Sequence, residues 1–542
     1  MTPTPAIHII IYVAAALSAL FCLGIELRRC LMMFQQNSYR RERYLKWLKQ
    51  SGDSTSGRRL CGMIIFFIAL TPFSPNIVSA VLIAIFSIIS GISMARRRYK
   101  KPLVMTMRAS RIYITALLLA AVVAAIAMTL TNVASQTLTA GSYIFSATEG
   151  LLACYCCSHL LIIAANALLS PIENRITRAY YNDAARILAS MPGLKVIGVT
   201  GSYGKTTTKH YLYSILSEKY ETLMTPGSYN TTLGVVRTIR EQLKPYHEVF
   251  ICEMGAKNVG DIKEICDLVH PEAGIVTAVG PQHLESFKTI ENVQSTKFEL
   301  VDSLPAGGIA VINNDFEKIA DRPVDNTRCL RYAVKNTESA DYIATDINYT
   351  PGGTHFTIVC MADGHRLPLF THLVGECNIS NILAAAAMAR AFGVDDQHIA
   401  YAVERLEQVE HRLSVKRVPG SLTIIDDAFN SNPVGSAMAL DVLAAFNEGK
   451  RFLVTPGMIE LGPEQYDRNR DFGKKAASCC DIAIIVGEYN RDAILEGLKE
   501  GGMPPEAVRP VESFTQAQQL LTSMATAGDT VLYENDLPDT FK

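Results

Sequence analysis

The first third of this chain contains long apolar segments, and these constrain its fold more than any other feature. Residues 6–27, 112–134 and 143–169 are each apolar and about long enough to cross a bilayer as a helix. Residues 60–95 are also apolar, with a break at residues 71–76 that indicates two short spans joined by a turn. Because no A-x-A-like cleavage site after a basic start is evident, the first segment is interpreted as an anchor and not as a removed signal peptide.

These segments predict a membrane region of about five transmembrane helices over residues 1–170, and its basic loops set the orientation. Residues 28–59 carry nine Lys and Arg, and residues 96–111 carry seven with no acidic residue. Since such loops stay on the cytoplasmic side, five spans put the N-terminus outside and everything after Pro171 in the cytoplasm. His159 lies deep in the last span, where it either contacts a substrate or packs on another helix.

After this region the sequence changes to the alternation that is typical of α/β domains. Residues 171–193 have apolar positions at helical spacing and are predicted to form an amphipathic connecting helix. Short apolar runs alternate with helical patterns over residues 194–410, which predicts a parallel sheet with crossover helices, and antiparallel strands are expected over residues 340–374. A second alternating series over residues 411–542 predicts a separate Rossmann-like domain. The predicted fold class is an α/β soluble part preceded by an all-α transmembrane region.

Composition excludes some functions. The net charge of −1 gives no global basic field, so nucleic acid is not expected as a partner. The thirteen cysteines follow no small-domain framework, as expected of reduced thiols in a cytosolic chain. Cys154 and Cys157 form a C-x-x-C inside an apolar run, where small residues of a membrane helix are favoured over a metal or redox site.

The clearest chemical signal is VIGVTGSYGKTTTKHYLYSIL, residues 196–216. An apolar strand pattern ends at Thr200, a loop with two glycines follows, and a helical pattern begins near Lys205. Backbone N–H groups of such a loop bind phosphate oxygens, Lys205 would neutralise phosphate charge, and the Thr206 hydroxyl can bind Mg²⁺. The full G-x-x-x-x-G-K-[ST] pattern needs glycine at Val199, so this is the shorter G-x-x-G-K-T, and a glycine-rich turn with an exposed lysine is the alternative. The predicted nucleotide-binding residues of the loop are Gly201, Ser202, Tyr203, Gly204, Lys205, Thr206 and Thr207.

The segment TGSYGKTTTK resembles the loop of the Mur ligases, the ATP-dependent amide-forming enzymes of peptidoglycan precursor synthesis. Further motifs of that family follow in its order. They are TPGSYNTTLG (225–234), FICEMG (250–255), TAVGPQHLE (277–285), STKFE (295–299), GECNISNIL (375–383), HR (411–412), DDAFNSNP (426–433) and GMIELG (457–462). The last two are most similar to the branch that adds D-alanyl-D-alanine, and the resemblance covers roughly residues 194–490.

This resemblance implies an ATP-dependent carboxylate–amine ligase that converts a carboxylate into an acyl phosphate and passes it to an amine. It implies ATP and Mg²⁺ as cofactors. Taken with the predicted spans and basic loops, it leads us to expect a multi-pass protein of the bacterial inner membrane with cytoplasmic ligase domains. The implied catalytic residues are Lys205, Glu253, His283 and Lys297. The implied metal ligands are Thr206, Glu253, His283 and Lys297, the last as a carbamylated lysine. The resemblance also implies a second Mg²⁺ beside His283. A bare Lys297 ammonium would repel both cations, whereas a carbamate supplies an anionic oxygen.

Further positions are implied motif by motif, and several have a structural alternative. Asn378 and Asn381 would contact adenine, or else cap a helix start. Arg412 suits a phosphate, with a surface salt bridge as the alternative. Asp427 suits a ribose hydroxyl, with Asp426 as its possible substitute. The residues implied to face the acceptor substrate are Asn230, Thr231 and Asn430. For the first two, turn formation is the alternative.

The chain departs from the family pattern in two places. Membrane spans occupy the position of the family's N-terminal UDP-sugar-binding domain. Where the D-alanyl-D-alanine branch has a basic K-G-S-R-like run, residues 533–539 read YENDLPD. Acidic groups there would serve a different amine or contact its ammonium end.

The partners therefore stay open between alternatives. The acceptor is a cell-wall precursor that is either a soluble nucleotide or lipid-linked, the amine is an amino acid or dipeptide, and membrane lipid surrounds the spans. A different alternative is a membrane P-loop ATPase in transport or signalling. It explains the spans, but it does not explain Lys297, His283 or the DDAFNSNP segment.

Overall fold

The computed structural model describes residues 5–70, 76–97, 99, 101–134, 139–282, 284–350, 353–417, 421–428 and 431–536. It divides into two compact units, the first reaching Ile176 and the second spanning Thr177–Asp536. The division falls inside one continuous helix.

The described part of the first unit is helical, as expected of apolar segments that must satisfy their backbone hydrogen bonds internally. Its helices, the last of which continues into the second unit, are α1 (Pro5–Gln36), α2 (Arg41–Ser51), α3 (Gly57–Ala69), α4 (Asn76–Ala95), α5 (Met107–Ala134), α6 (Ala140–Cys156) and α7 (Ser158–Ala189). Within the described residues, three helices (α1, α4 and α5) are long and apolar enough to cross a membrane, and α6 with α7 would be a fourth if that bent pair is one span.

The described helices thus give three or four candidate spans where the sequence predicts about five. The 13 residues of α3 rise only about 20 Å, less than the roughly 30 Å of a bilayer core. The last predicted span is divided, because α6 and α7 meet at an angle of 83°. Pro171 does not start a new helix, since α7 continues through it to Ala189. The predicted connector is therefore the second half of α7.

Ionised side chains form a buried network among the helices of the first unit. Glu26 on α1 accepts two hydrogen bonds from Arg29, at 2.8 and 3.0 Å, and another from Arg59 on α3. Arg29 also donates to both oxygens of Asp53, at 2.8 and 2.6 Å. Because each carboxylate faces at least one guanidinium, the charges are compensated where water is excluded.

His159 belongs to the same network. Its Nε2 lies 2.9 Å from Asp53 Oδ2, and its Nδ1 lies 2.6 Å from the hydroxyl of Tyr44 on α2. The ring therefore joins α7 to other elements of this unit, which is the packing alternative of its two interpretations.

In the described residues, the second unit contains two sheets. The larger has the strand order β2-β3-β1-β4-β5-β6-β7-β8-β9. Its strands are β1 (Lys195–Thr200), β2 (Thr222–Met224), β3 (Val249–Glu253), β4 (Ala273–Val276), β5 (Ile309–Asn313), β6 (Arg328–Ala333), β7 (Tyr342–Thr350), β8 (Gly353–Cys360) and β9 (Arg366–Thr371). In the order of the sheet, the first seven strands, from β2 through β1 to β7, pair in parallel, and β8 is antiparallel to both of its neighbours, β7 and β9. The parallel sheet and the antiparallel strands over residues 340–374 are confirmed.

Helices cover this sheet and carry parts of the site. They are α8 (Lys205–Leu216), α9 (Thr232–Gln242), α10 (Asp261–Val269), α11 (Leu284–Phe287), α12 (Ile290–Asp302), α13 (Glu317–Ala320), α14 (Glu376–Ala391) and α15 (Asp396–Glu404). Residues 384–389 of α14 (AAAAMA) are all buried, in one core with residues of α8. The small alanine side chains allow this close packing, which fixes α8 beside α14.

The smaller sheet has the strand order β10-β11-β15-β12-β13-β14. Its strands are β10 (Ser414–Arg417), β11 (Thr423–Asp427), β12 (Arg451–Thr455), β13 (Ile482–Val486), β14 (Val508–Val511) and β15 (Thr530–Glu534), and its helices are α16 (Pro433–Ala444), α17 (Gln465–Cys479), α18 (Arg491–Glu500) and α19 (Phe514–Met524). Only β10 among them is antiparallel to its neighbour. In such sheets, ligands bind beyond the carboxyl ends of the parallel strands.

Candidate active site

The loop between β1 and α8 has glycine at two positions where a side chain does not fit. Gly201 and Gly204 have φ angles of 150° and 77°. A Cβ atom would lie 2.1 Å from Thr277 Oγ1 at the first and 2.6 Å from Asn381 Oδ1 at the second. The loop therefore packs directly against the end of β4 and against α14, and it leads into the N-terminus of α8, where backbone N–H groups attract anions.

Lys205 is the first residue of α8, and its side chain folds back over the loop. Its Nζ donates to the carbonyl oxygens of Gly201 and Ser202, at 2.6 and 3.1 Å. Burial lowers the pKa of Lys205 to about 8, with the charge of Glu253 opposing this and that of Arg412 adding to it. The ammonium group is thus held where a bound phosphate would add the negative charge that stabilises it.

Glu253 ends β3 and is completely buried. Its Oε1 accepts hydrogen bonds from Thr206 Oγ1 and Asn230 Nδ2, both at 3.1 Å. Lys209 Nζ lies 3.0 Å from its Oε2, but the hydrogen bonds of this lysine go to two backbone carbonyls at 2.6 and 2.7 Å. Within the described residues, Oε2 has no hydrogen-bond donor.

This carboxylate fits a hard cation. Burial alone would raise the pKa of Glu253, but the positive charges of Lys209 and Lys205 outweigh burial and hold the pKa below its usual value. Glu253 is therefore ionised, with the Thr206 hydroxyl at Oε1 and the Lys209 ammonium 3.0 Å from Oε2. Ionised carboxylate and hydroxyl oxygens are ligands that Mg²⁺ accepts, so the residues present fit this ion.

Lys209 is a site residue that the sequence reasoning missed. It is fully buried and forms the ion pair with Glu253. It follows Lys205 by four residues on α8, so the two lysines share one face of the helix. This i, i+4 spacing after a phosphate loop is the signal that could have identified it.

Lys297 lies on α12 with only 2% of its surface exposed. Burial lowers its pKa to about 7, and the charge of Lys205 adds to this effect while Glu299 and Asp261 oppose it. Near neutral pH much of this side chain is a neutral amine, the form that reacts with CO₂. Its carbamylation stays a prediction.

One cavity brings together most of the predicted residues. Those lining it are Ser202, Tyr203, Gly204, Lys205, Thr206, Thr207, Asn230, Glu253, Asn378, Asn381, Arg412 and Asp427. The predicted residues that the structure describes outside its lining are Gly201, Thr231, Asp426 and Lys297. Two further predicted residues, His283 and Asn430, lie outside the described part of the chain.

Asn378 and Asn381 line the cavity, and both also accept hydrogen bonds that connect α14 to α8. Asn378 Oδ1 accepts from the Tyr211 hydroxyl at 2.8 Å, and Asn381 Oδ1 accepts from Thr208 Oγ1 at 3.0 Å. The N-cap of α14 is Gly375, so neither amide is the cap. Contact with adenine stays a prediction for both.

Thr231 forms the N-cap of α9, because its side chain accepts a hydrogen bond from the N–H of Gly234 at 3.3 Å. Thr231 thus has a structural role in capping α9, and its contact with the acceptor stays a prediction. Asn230 instead lines the cavity and orients Glu253.

Asp427, the last residue of β11, and Arg412, which precedes β10, also line the cavity. Asp427 Oδ1 accepts from the N–H of Leu413 at 3.0 Å, whereas Asp426 Oδ2 lies 2.8 Å from His411 Nδ1. Of the two neighbouring acids, only Asp427 lines the cavity. Burial raises the pKa of Asp427 to about 6 and lowers that of Arg412.

Other lining residues were also missed. They include Thr277, Asn313, Phe316, Cys377, Ser380, Ser431, Asn432 and Met438. Asn313 ends β5 and Phe316 follows it. A polar Asn-Asn-Asp run follows at the carboxyl end of this predicted parallel strand, and it is the signal that could have identified this part of the cavity lining.

The chain matches two family models. The model described as "Mur ligase middle domain" matches residues 199–389, and the one described as "Mur ligase, glutamate ligase domain" matches residues 411–533. Together they include most of both sheets and the loop after β1.

Two similar curated proteins bear the same enzyme name. The UDP-N-acetylmuramoyl-tripeptide–D-alanyl-D-alanine ligase of Bacillus subtilis is 27% identical, with the match covering 70% of this chain and 78% of the relative. The enzyme of the same name from Escherichia coli is 32% identical, with 58% and 69% covered.

Solved structures agree with this. MurF from Acinetobacter baumannii has a TM-score of 0.59 and 26% identity, over 66% of this chain and 77% of that one. MurF ligase from Thermotoga maritima in complex with ADP has a TM-score of 0.58 and 26% identity, over 66% and 80%.

Proposed function

The chain belongs to the Mur ligase family and is an ATP-dependent ligase, and we propose that it forms an amide bond in peptidoglycan precursor synthesis through an acyl phosphate. The observation that carries the proposal is the single cavity that joins Lys205, Glu253 and Asp427. Lys205 belongs to the phosphate loop, Glu253 is a carboxylate that fits Mg²⁺, and Asp427 is an acidic residue from the second sheet.

The chemistry requires activation because a carboxylate is a poor electrophile for an amine. A carboxylate oxygen of the acceptor attacks the γ-phosphorus of ATP, and ADP leaves. The amine nitrogen then attacks the acyl carbon, inorganic phosphate leaves, and the amine gives up a proton. Phosphoryl transfer depends mainly on positioning and charge neutralisation. Lys205, at the loop, supplies a positive charge for this step.

Thr206 and Glu253 are the proposed magnesium ligands among the described residues, with Asn230 and Lys209 holding the carboxylate. When bound, Mg²⁺ neutralises phosphate charge and orients the phosphate oxygens. His283 is a further proposed ligand on the family resemblance alone. At Lys297 the neutral amine would add CO₂ and release a proton, which leaves an anionic carbamate.

For the substrates we propose the chemistry printed in the names of the curated relatives: a peptide carboxylate acceptor of the UDP-N-acetylmuramoyl-tripeptide class and D-alanyl-D-alanine as the amine. The helices of the first unit are proposed to anchor the chain in the bacterial inner membrane, with the ligase domains in the cytoplasm where ATP is present. A lipid-linked form of the same acceptor is the variant that a membrane-bound ligase could reach.

The test uses the full chain in detergent with ATP, Mg²⁺, D-alanyl-D-alanine and either the soluble nucleotide–tripeptide or its lipid-linked form. We expect phosphate release that requires both acceptor and amine, together with the amide product by mass spectrometry. Lys205→Ala is the matched inactive control. Phosphate release that needs neither substrate would support the transport or signalling ATPase instead. Turnover with only the soluble acceptor would eliminate the lipid-linked variant.

A further inference from the structure

Glu534 is a buried carboxyl group next to Asp427, at the part of the cavity proposed to hold the nucleotide. The reaction described above does not use this carboxyl group. It is the last residue of β15 and has only 1% of its surface exposed. In the parallel pairing of β11 with β15, Glu534 lies directly opposite Asp427. Such neighbours lie on strands about 4.8 Å apart with their side chains on the same face of the sheet. Two acidic side chains are therefore adjacent in the interior.

The two oxygens of Glu534 have different surroundings. Oε1 accepts hydrogen bonds from the hydroxyl groups of Ser431 and Ser436, the latter at 2.8 Å. Oε2 has no hydrogen-bond donor among the described residues. An ionised carboxylate in this position would leave a charged oxygen without a donor and next to a second carboxylate. That arrangement is strongly unfavourable.

The groups that face this pair decide how it is stabilised. Arg412 and Cys377 interact with Asp427, and Asp426, which pairs with His411, adds repulsion. The contacts that act on Glu534 itself come from Asp427 and the two serines. Since no ion pair joins Glu534 to a cation in the described residues, and the largest influences on it are burial and the charge of Asp427, a proton gives Oε2 a partner.

We propose that Glu534 is a neutral carboxylic acid whose Oε2–H is donated to Asp427, and that it is a positioning residue for Asp427 and Ser431 at the cavity wall. The O–H of Oε2 gains an acceptor, Oε1 keeps its two serine donors, and both cavity residues are held by one side chain. The inference rests on the proposed function only in that Asp427 faces the nucleotide.

Burial and the charge of Asp427 both raise the pKa of Glu534 well above its usual value, which is consistent with a retained proton. At neutral pH the pair then presents one negative charge to the nucleotide and not two. At higher pH the shared proton is lost, the two carboxylates repel each other, and a second negative charge acts on the phosphates.

Two variants separate this role from simple packing. Glu534→Gln keeps an oxygen for the serines and an N–H for Asp427, which reproduces the hydrogen bonds of the neutral acid. Glu534→Ala removes both. With ADP as the probe and the full chain in detergent, we expect Glu534→Gln to bind within about twofold of the unaltered chain and Glu534→Ala about tenfold more weakly, the factor for one lost buried hydrogen bond. Weak binding by Glu534→Gln as well would overturn the proposal.

Two readouts do not depend on ligase turnover. The infrared difference spectrum between the unaltered chain and Glu534→Gln at neutral pH should contain the C=O band of a protonated carboxyl group. Lys205, with a pKa of about 8, loses its charge at alkaline pH in both chains, so ADP affinity should fall in both but more steeply in the unaltered chain than in Glu534→Gln. A difference spectrum with carboxylate bands only, or an alkaline loss that is equally steep in Glu534→Gln, would overturn the proposal even if Glu534→Ala fails to fold. If these readouts hold and no amide forms, the proposed function fails and this inference stands.

Discussion

Replacement of Lys209 by Met removes the charge that compensates the most deeply buried carboxylate of the site. The Nζ of Lys209 lies 3.0 Å from Glu253 Oε2 and donates to the carbonyl oxygens of Thr225 and Gly227. Met has a similar length and no charge, so Glu253 would stay buried without its nearest cation. Breaking a buried ion pair by removal of one partner costs about 3–5 kcal/mol. We expect Lys209→Met to lower the free energy of unfolding of the second unit by about that amount.

Lys209→Met should also change the ionisation of Glu253. Lys209 contributes the largest of the charges that lower the pKa of Glu253 against the effect of burial. In Lys209→Met the pKa of Glu253 therefore rises, and the carboxylate takes up a proton as the pH falls. Magnesium-dependent ADP binding should weaken in Lys209→Met as pH decreases, more steeply than in the unaltered chain.

Hydrogen exchange at the amides of β3 in the full chain measures the stability change. The matched control is Lys263→Met, because Lys263 is an exposed lysine paired with Asp267 one turn along α10 and should change little. A double variant, Lys209→Met with Glu253→Gln, should recover part of the loss because it removes the uncompensated charge. The reasoning is refuted if Lys209→Met is as stable as Lys263→Met, or if the double variant is less stable than Lys209→Met.

Three further outcomes are expected. Gly204→Ala should abolish ADP binding in a titration, because the added Cβ would lie 2.6 Å from the side-chain oxygen of Asn381 on α14. The control is Gly260→Ala, which also has a positive φ, of 90°, but has open space around it and should retain ADP binding. Because the pKa of Lys297 is lowered to about 7, its reactive neutral form falls about tenfold per pH unit below that value. Incorporation of ¹³CO₂ seen by NMR should therefore decrease from neutral to acidic pH, and a rise would contradict the assignment. Arg59→Met should destabilise the first unit by about 3–5 kcal/mol in thermal unfolding followed by the fluorescence of the chain's single tryptophan. Adding Glu26→Met should recover part of that loss.

The parts of the site that the sequence predicted are those encoded locally. Gly204, Lys205 and Thr206 lie in one strand–loop–helix segment, so their roles follow from spacing alone. Glu253 was identified by its motif. The i, i+4 spacing after Lys205 points to the face of α8 on which Lys209 lies, but its pairing with Glu253 also depends on β3 lying beside β1, and the sequence alone does not give the strand order.

The other differences between prediction and structure have the same cause, since they also depend on which elements pack together. Asp427 and Glu534 face each other because β15 inserts beside β11, although the two strands are far apart in the chain. In the first unit, apolarity located the helices but not their ends. Apolarity does not show where α3 ends or where the chain turns between α6 and α7, and α7 continues through Pro171 although proline usually ends or kinks a helix. The α/β class and the two kinds of strand pairing were predictable because they follow from alternation and periodicity.

The most direct test of the central claim follows one oxygen atom. If the acceptor carboxylate is labelled with ¹⁸O, activation through an acyl phosphate moves one labelled oxygen into the inorganic phosphate that is released. We expect one ¹⁸O in phosphate for each amide formed, measured by mass spectrometry of both products from the full chain with ATP, Mg²⁺ and D-alanyl-D-alanine. Released phosphate without label, or phosphate formed at the same rate without amine, would contradict an acyl phosphate ligase.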